Sequence, residues 1–333
     1  PFRLPRVRNQ LNVFFGYQGT SDHNAITQGT VVPTALERAG DFSQTLNAVN
    51  APVTIVDPLT GLPFPGNRIP HERISPQAAA LLGYYPLPDG GESGRFNYQT
   101  PIVTATRQDS VQSRFTQSPT NRMQLNAIVN YQRGSTDSNT IFGFPNSREN
   151  SGLDTQANWS YRLSQFMNLR ARYQFTRQSN TTLPYFSNLT NVSAEAGIRG
   201  NNQDPINWGP PSLVFASDVA GLSDVRYADT RNATHAWSGG ALRFGGRHTI
   251  TFGAEARRHL IDIVSQQDPR GTFTFTGATT GLDLADFLLG RPQTSSIAFG
   301  NADKYFSNNS YAAYVTDDWR LSPSFTMNLG VRW

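Results

Sequence analysis

The sequence contains no cysteine, so it cannot form a disulfide, a thiolate zinc site, an iron–sulfur cluster or a cysteine nucleophile. It has no run of about 18 apolar residues, which excludes a membrane-spanning helix, and its first residues lack the apolar core of a signal peptide. Charged residues make up only 16%, and the net charge of +4 is not clustered. A nucleic-acid partner is therefore not expected, because it would require a basic stripe.

Uncharged polar side chains and aromatic rings take the place of the missing charge. The mean hydropathy is −0.45 although few residues are charged, so Asn, Gln, Ser and Thr supply the polarity. Aromatic residues make up 11%, which argues against a disordered chain. This composition is typical of transmembrane β-barrels, whose strands alternate between two faces and never look hydrophobic in a sliding window.

Period-two alternation predicts nine strands, because successive side chains of a strand point to opposite faces. The alternation is clearest over 325–333, and it is weaker over 107–117, 231–244 and 309–321. The predicted strands are 10–18, 107–117, 122–133, 153–163, 166–178, 231–244, 247–264, 309–321 and 325–333.

The alternation separates an apolar face, which we expect to meet lipid, from a polar face, which we expect to line a lumen. The predicted lipid-facing residues are Val13, Phe15, Leu125, Val129, Trp159, Tyr161, Leu169, Tyr173, Ile250, Phe252, Met327, Leu329 and Val331. The predicted lumen-facing residues are Asn126, Gln156, Arg170, Arg172, Glu255, Arg257, Asn328 and Arg332. Asp317 falls on the apolar face and is assigned to the interface near a turn, where a charge costs little.

The connections between these strands alternate in length. Tight turns are predicted at 118–121, 164–165, 245–246 and 322–324, and long loops at 19–106, 134–152, 180–230 and 265–308. Short periplasmic turns and long extracellular loops alternate in this way in outer-membrane barrels. Two short helices are predicted within the loops, one at 75–82 with Ser75 as N-cap and Pro76 at its first position, and one at 284–289.

The sequence favours a membrane barrel over a soluble β-sandwich. The polar face of a sandwich is usually rich in Lys, Glu and Thr, whereas here it carries mainly Asn, Gln, Ser, Thr and Arg. The fold class predicted is therefore all-β, an antiparallel transmembrane β-barrel segment with long extracellular loops. Nine is an odd number and the last strand ends without a closing partner, so we expect residues 1–333 to be part of a larger barrel.

Several strings, in order along the chain, resemble Oar-like TonB-dependent outer-membrane transporters. They are PTALERAGDFS at 33–43, DPLTG at 57–61, PFPGNRIP at 63–70, RISPQAAALL at 73–82, NNQDP at 201–205, DPRGTFTFTG at 268–277, ADFLLGRP at 285–292 and YVTDDWRLSPSFTMNLGVRW at 314–333.

The resemblance implies an N-terminal β-sandwich, a plug domain and a barrel of about 22 strands. This chain resembles only the early-to-middle barrel, with no plug, TonB box or closing strand. The implied function is energised uptake of a bulky cargo of unknown identity. The implied partners are outer-membrane lipid, the plug and, through the plug, the TonB complex.

No enzymatic constellation is recognisable, so we expect neither catalysis nor a metal or other cofactor. His235, His248 and His259 lie on neighbouring predicted strands without a metal-binding motif, and Asp317 and Asp318 point to opposite faces. Aromatic loop residues are the candidates for cargo contact: Tyr84, Tyr85, Trp208, Phe215 and Tyr227. Two alternatives remain open, an outer-membrane adhesion protein without transport and a soluble carbohydrate-binding β-sandwich.

Overall fold

The computed structural model describes residues 11–47, 51–90, 96–300 and 302–333. Its main feature is a nine-stranded sheet. The strands are β1 (Leu11–Thr30), β2 (Tyr98–Thr120), β3 (Met123–Asn139), β4 (Pro145–Ser164), β5 (Met167–Leu183), β7 (Ala228–Gly245), β8 (His248–Val264), β11 (Lys304–Ser322) and β12 (Phe325–Arg332). A second sheet contains three short strands, β6 (Ser212–Phe215), β9 (Thr272–Phe275) and β10 (Thr294–Ser296).

The nine long strands pair with their neighbours in chain order, and every pairing is antiparallel. The prediction of nine antiparallel strands is therefore confirmed. Within the described residues, β1 and β12 form the two edges of the sheet. In the small sheet, β6 and β9 are parallel, and β9 and β10 are antiparallel.

Most strands extend further from the tight turns than predicted. The first strand continues to Thr30 instead of ending at 18, so the first long connection covers 31–97. The predicted loop 134–152 is wrong, because β3 and β4 are joined by 140–144 alone. The other long connections are 184–227 and 265–303. The added strand segments lack a regular alternation, although some carry apolar side chains such as the paired Ile26 and Ile102, and backbone hydrogen bonds hold these segments in the sheet.

Both predicted helices are present. Helix α2 (Pro76–Leu82) begins after Ser75, whose hydroxyl accepts a hydrogen bond from the Ala78 amide, and α4 (Asp283–Leu288) ends before Gly290. The sequence did not predict α1 (Ala35–Arg38) and α3 (Val192–Glu195), nor the 3-10 turns at Pro65–Asn67, His71–Arg73 and Pro205–Asn207. No helix within the described ranges is long and apolar enough to cross a membrane.

The register of the sheet keeps the two predicted sets of residues apart. Directly paired residues share a face, and the pairs Leu125–Trp159 and Phe252–Val315 are typical of the apolar side. Followed through all nine strands, the pairings place the thirteen predicted lipid-facing residues on one face and the eight predicted lumen-facing residues on the other. Which of the two faces meets lipid stays a prediction.

A cavity of about 950 Å³ lies against the apolar face, and it is lined by the first eight strands of the sheet and by Trp333, which directly follows β12. Small residues such as Ala127, Ala157 and Ala171 leave room at its centre, and Leu11 and Trp333 line it from the two edges. Because both edges border one cavity, the sheet rolls toward its apolar face in this structure. A lipid-facing role for this face requires the opposite curvature.

Candidate functional site

A hydrogen-bonded network of polar side chains covers the polar face of β2 to β5. Arg172 is its centre, since Nη2 donates to Gln156 Oε1 at 2.8 Å and to Gln174 Oε1 at 2.9 Å. Gln156 Nε2 donates to Asn158 Oδ1 at 3.0 Å, and Asn158 Nδ2 donates to Asn126 Oδ1 at 3.4 Å. The side chains therefore hold one another in place across three strands, as in a fixed hydrophilic wall.

The network continues at both ends. Asn126 Nδ2 donates to Thr116 Oγ1 at 2.9 Å, and Asp154 Oδ2 accepts from Gln174 at 3.1 Å and Thr176 at 2.9 Å. Further along the sheet, Glu255 and Arg257 form an ion pair on the same face of β8. Asn328 and Arg332 lie exposed on the same face of the edge strand β12.

The three long connections fold together into one body, which we call the cap (31–97, 184–227 and 265–303). Its core contains side chains from all three connections, among them Ile55, Leu222 and Leu288, which are fully buried. Phe144, from the short connection 140–144, packs edge-on against Tyr84 and Phe186. The loops are therefore a packed domain with its own hydrophobic core.

Backbone hydrogen bonds tie the cap connections to one another. The Val56 amide donates to the Thr280 carbonyl at 2.8 Å, and the Ser75 amide donates to the Leu288 carbonyl at 2.7 Å. The small sheet makes a third link, because β6 belongs to 184–227 and its partner β9 belongs to 265–303.

Two of the sequence strings that carry the family resemblance contain side chains that hold the backbone of the cap by hydrogen bonds. Asn67, in PFPGNRIP, has a positive φ of 57° and binds three backbone groups. Its Nδ2 donates to the carbonyls of Phe42 and Val53 at 2.8 and 2.9 Å, and its Oδ1 accepts from the Ile55 amide at 2.8 Å. In ADFLLGRP, Asp286 accepts from the amide and the hydroxyl of Thr280 at 2.8 and 2.7 Å. These residues specify the fold of the cap.

A buried ion pair joins two of the cap connections. Arg270 Nη1 lies 3.5 Å from Asp224 Oδ2, and the two side chains are 6% and 0% exposed. Arg270 Nη2 also donates to the carbonyls of Asp224 and Val225 at 3.0 and 2.6 Å. Burial raises the pKa of Asp224 above its usual range, although the Arg270 charge opposes this shift. Burial likewise lowers the pKa of Arg270.

The structure does not bring the candidate cargo residues together as an exposed aromatic site. Tyr85 is buried, and its hydroxyl donates to the Ala220 carbonyl at 2.9 Å and accepts from the Leu222 amide at 3.1 Å. Tyr84 packs against the cap core, and Phe215 stacks on Phe275. The expected cargo role is therefore wrong for Tyr85, because its ring and its hydroxyl are both used to hold the cap.

Two of the cargo candidates remain accessible in part. Trp208 and Tyr227 are half-buried, and Trp208 Nε1 donates to the Gln203 carbonyl at 3.2 Å. Larger apolar exposure occurs in the cap at Leu59, Leu189 and Phe299, which are 70%, 65% and 79% exposed. No sequence pattern distinguished these three residues from the apolar residues that enter the core.

The three strand histidines do not meet. His235 Nδ1 is 2.9 Å from the Tyr173 hydroxyl, and His259 Nδ1 is 3.0 Å from Thr234 Oγ1. His248 Nδ1 lies 2.6 Å from Asp317 Oδ2 beside the turn between β7 and β8, the region to which Asp317 was assigned. In the part of the chain that the structure describes, no cluster of His, Asp or Glu is arranged to hold a metal ion.

The fold defines the class of protein: consecutive long antiparallel strands with one apolar and one polar face, tight turns at one end of the sheet, and at the other end three long connections and the short connection 140–144. Residues 4–333 match the family described as "Outer membrane beta barrel domain". The chain belongs to this family, which places the protein in the bacterial outer membrane.

One solved structure that matches this chain is the outer membrane transporter YddB from Escherichia coli, at 13% identity and a TM-score of 0.42. The match covers 72% of this chain and 28% of that transporter, so the chain spans little more than a quarter of its length. No curated protein matches the sequence.

Proposed function

We propose that this chain forms part of the barrel wall of a TonB-dependent outer-membrane transporter of the Oar-like family, which takes up a bulky substrate. The network centred on Arg172 carries the proposal, because an ordered hydrophilic wall opposite an apolar face suits a water-filled conduit. Energy would reach the conduit from the TonB complex through a plug domain. The protein would act as a gated passage and not as an enzyme.

The direction in which the sheet curves in a membrane follows from desolvation. If the sheet kept its present curvature in a bilayer, Arg170 and Arg172 would point toward lipid. An arginine at the bilayer midplane costs about 2–4 kcal/mol, whereas the side chains of the apolar face cost nothing there. We therefore infer that in the membrane the apolar face is convex and meets lipid, and that the polar network faces the lumen.

The cap supports a role in receiving a ligand from outside the cell. Each of its three connections leads into a strand that runs to a tight turn, namely β2, β7 and β11, so the connections lie at the same end of the sheet. Its exposed apolar residues, such as Leu59 and Phe299, are suitable for contact with a cargo or a surface partner. The same observation favours the second candidate function, an adhesion protein that binds a partner through the cap and transports nothing.

The orientation can be tested with single cysteines in this cysteine-free sequence. On intact cells, an impermeant maleimide should label Leu59→Cys in the cap directly. Asn121→Cys, in the tight turn between β2 and β3, should react only after the outer membrane is permeabilised. Labelling of Asn121→Cys on intact cells would reverse the orientation and remove the cap from the cell surface.

Binding to TonB separates transport from adhesion. The full-length protein, purified from outer membranes in detergent, would be mixed with the purified periplasmic domain of TonB. We expect a complex that cross-links between the two proteins. Correct orientation without any such complex would favour the adhesion protein.

A further inference from the structure

Exposed arginines form a row on the apolar face, beyond aromatic side chains such as Tyr131 and Phe175. The row, which we call the arginine belt, contains Arg107, Arg133, Arg177 and Arg258. The register places all four on the face that holds Leu125, Tyr173 and Phe252. An arginine on an otherwise apolar face needs a reason, because the side chain is costly within lipid.

The arginine belt lies at one height above the tight turns. Three of its members stand at the same position in strands that begin at a tight turn, ten residues beyond the first residue of the strand: Arg133 after Met123, Arg177 after Met167, and Arg258 after His248. Ten residues of a strand tilted by about 40° rise about 25 Å, which equals the height of the apolar band of an outer-membrane barrel. The fourth, Arg107, is paired with Ser135, two residues beyond Arg133.

Aromatic side chains lie directly below the arginine belt. Tyr131 and Phe175 each precede a belt arginine by two residues on the same face, and His235 is paired directly with Arg258. The His235 ring also lies beside Phe175 in a tilted arrangement, with ring centroids 4.8 Å apart. Aromatic rings mark the membrane–water interface of such barrels, so the guanidinium groups above them stand at the level of the lipid headgroups.

The arginine belt is mostly free of protein anions. Arg133 Nη2 lies 3.4 Å from Glu149 Oε2, but both side chains are more than half exposed, so this pair is weak. Asp109 is paired with Arg133 in the register and accepts a hydrogen bond from Tyr17. Within the described residues, Arg107, Arg177 and Arg258 have no carboxylate within ion-pair distance.

At the cap end of this face, two further acidic residues lie farther from the membrane than the arginine belt. Asp137 and Asp262 stand four residues beyond Arg133 and Arg258 on the same strands, which is about 10 Å higher. Arg231, paired with Asp262, forms an ion pair with Asp229 at 2.9 Å and is therefore already neutralised.

The end of the apolar face near the tight turns carries fewer arginines than the cap end. Near the tight turns, the described strands carry one arginine on the apolar face, Arg243, which is paired with Met167 and Ile250. Positive charge is thus concentrated at the cap end, at the height of one leaflet only.

We propose that the arginine belt binds the phosphate groups of a phosphorylated glycolipid in the outer leaflet, with the acyl chains lying on the apolar face below. Guanidinium groups bind phosphate oxygens by bidentate hydrogen bonds, and each arginine near an anionic surface adds to the affinity. The spacing fits the amphipathic shape of such a lipid, because cation, aromatic ring and apolar surface follow one another down β3 and β5. This inference rests on the proposed membrane orientation of the face.

The test uses the full-length protein, purified in neutral detergent and stripped of lipid. Binding of bisphosphorylated lipid A is compared with binding of the same lipid after removal of its phosphates. We expect the phosphorylated form to bind at least tenfold more tightly. Arg177→Gln/Arg258→Gln should lose about thirtyfold in affinity for it, whereas Arg243→Gln should bind as the unchanged protein does.

Three results would overturn the inference: equal binding of the two lipids, an unaffected double variant, or full competition by inorganic phosphate, which would indicate a site for free anions. Heat-modifiable gel mobility shows whether each variant is folded. If the double glutamine variant does not fold, Arg177→Lys/Arg258→Lys keeps the charge but loses the bidentate geometry. This variant should retain a reduced preference for the phosphorylated lipid, and a full preference would contradict guanidinium binding.

The proposed transporter function and the proposed role of the arginine belt are tested by different experiments. Loss of TonB binding or a reversed cysteine-labelling pattern would reject the transporter or its orientation. Normal results in those assays, combined with no preference for phosphate, would reject the arginine belt alone.

Discussion

Arg170 and Tyr314 are hydrogen-bonded across two intervening strands: Arg170 Nη2 donates to the Tyr314 hydroxyl at 3.0 Å. The residues between them in the register are Gly240 on β7 and Gly253 on β8. The Tyr314 ring extends over Gly253, and a Cβ at that position would lie 2.9 Å from two ring carbons. Because Gly240 and Gly253 have no side chains, the side chains of Arg170 and Tyr314 can reach each other across these two strands on the polar face.

We expect Gly253→Ala to destabilise the barrel by about 1–3 kcal/mol, because the added methyl group must displace the tyrosine ring and approaches the Gly239 carbonyl as well. Gly239→Ala is the matched control, since a Cβ there has its nearest neighbour at 3.8 Å. The temperature at which the folded, fast-migrating form of the full-length protein is lost on gels measures the effect. Equal temperatures for the two variants would show that the Tyr314 contact is not constrained.

Leu329→Arg should reduce the amount of protein assembled in the outer membrane, because it places a charge on the apolar face at a cost of about 2 kcal/mol or more. Asn328→Arg, the adjacent residue on the polar face, should be tolerated. Both variants would be quantified in isolated outer membranes. Similar amounts of the two would contradict the assignment of faces.

Arg270→Gln should destabilise the cap by about 3–5 kcal/mol, because it leaves Asp224 buried without its counter-charge. Resistance of the cap to protease over a urea series measures the loss. Asp224→Asn/Arg270→Gln should recover much of it, and a double variant as unstable as the single one would show that the buried charge is not the cause.

The loss of cap stability caused by Arg270→Gln should also depend on pH. The pKa of Asp224 is already raised in the folded protein, and removal of the guanidinium raises it further. A raised pKa in the folded state means that stability increases as the pH falls toward the unfolded value of about 3.9. The urea resistance of Arg270→Gln should therefore approach that of the unchanged protein at low pH, and a deficit that grows on acidification would contradict this account.

Leu288→Ala should loosen the whole cap, because this fully buried side chain belongs to a core built from three connections. Such a truncation costs about 2–5 kcal/mol, whereas Leu59→Ala, at a position 70% exposed, should cost little. Hydrogen exchange should rise in 31–97 and 184–227 as well as in 265–303. Faster exchange confined to 265–303 would show that the connections fold independently.

The strands of the apolar band were predictable because two environments act on every strand. Adjacent residues such as Val129 and Asn130 lie on opposite faces, one apolar and one polar, so side-chain polarity alternates with a period of two along the sequence. The outer strand segments, such as 19–30, carry no such period. Their strand structure comes from pairing with β2 and could not be derived from the segment alone.

The cap was predictable only where a local signal exists. Ser75 and Pro76 mark the start of α2, and Thr34 with Glu37 forms a capping box that could have revealed α1. The core depends on contacts between distant residues, such as Ile55 and Leu288, and no local pattern records which apolar side chains will meet. For this reason the candidate cargo residues could not be separated from the structural ones, and Tyr85 was assigned to the wrong group.

The bond between the Ser75 amide and the Leu288 carbonyl also constrains the order of assembly, since the two residues are more than two hundred positions apart. The first connection, 31–97, contains α2 but lacks its main partner α4 until the chain has been delivered as far as 288. Apolar side chains such as Leu81 and Leu82 must remain shielded in the meantime, since closing so long a loop is slow. The early loops of the nascent chain thus stay incomplete for longer than its early strands, and completion of the cap requires that seven of the nine long strands have already arrived.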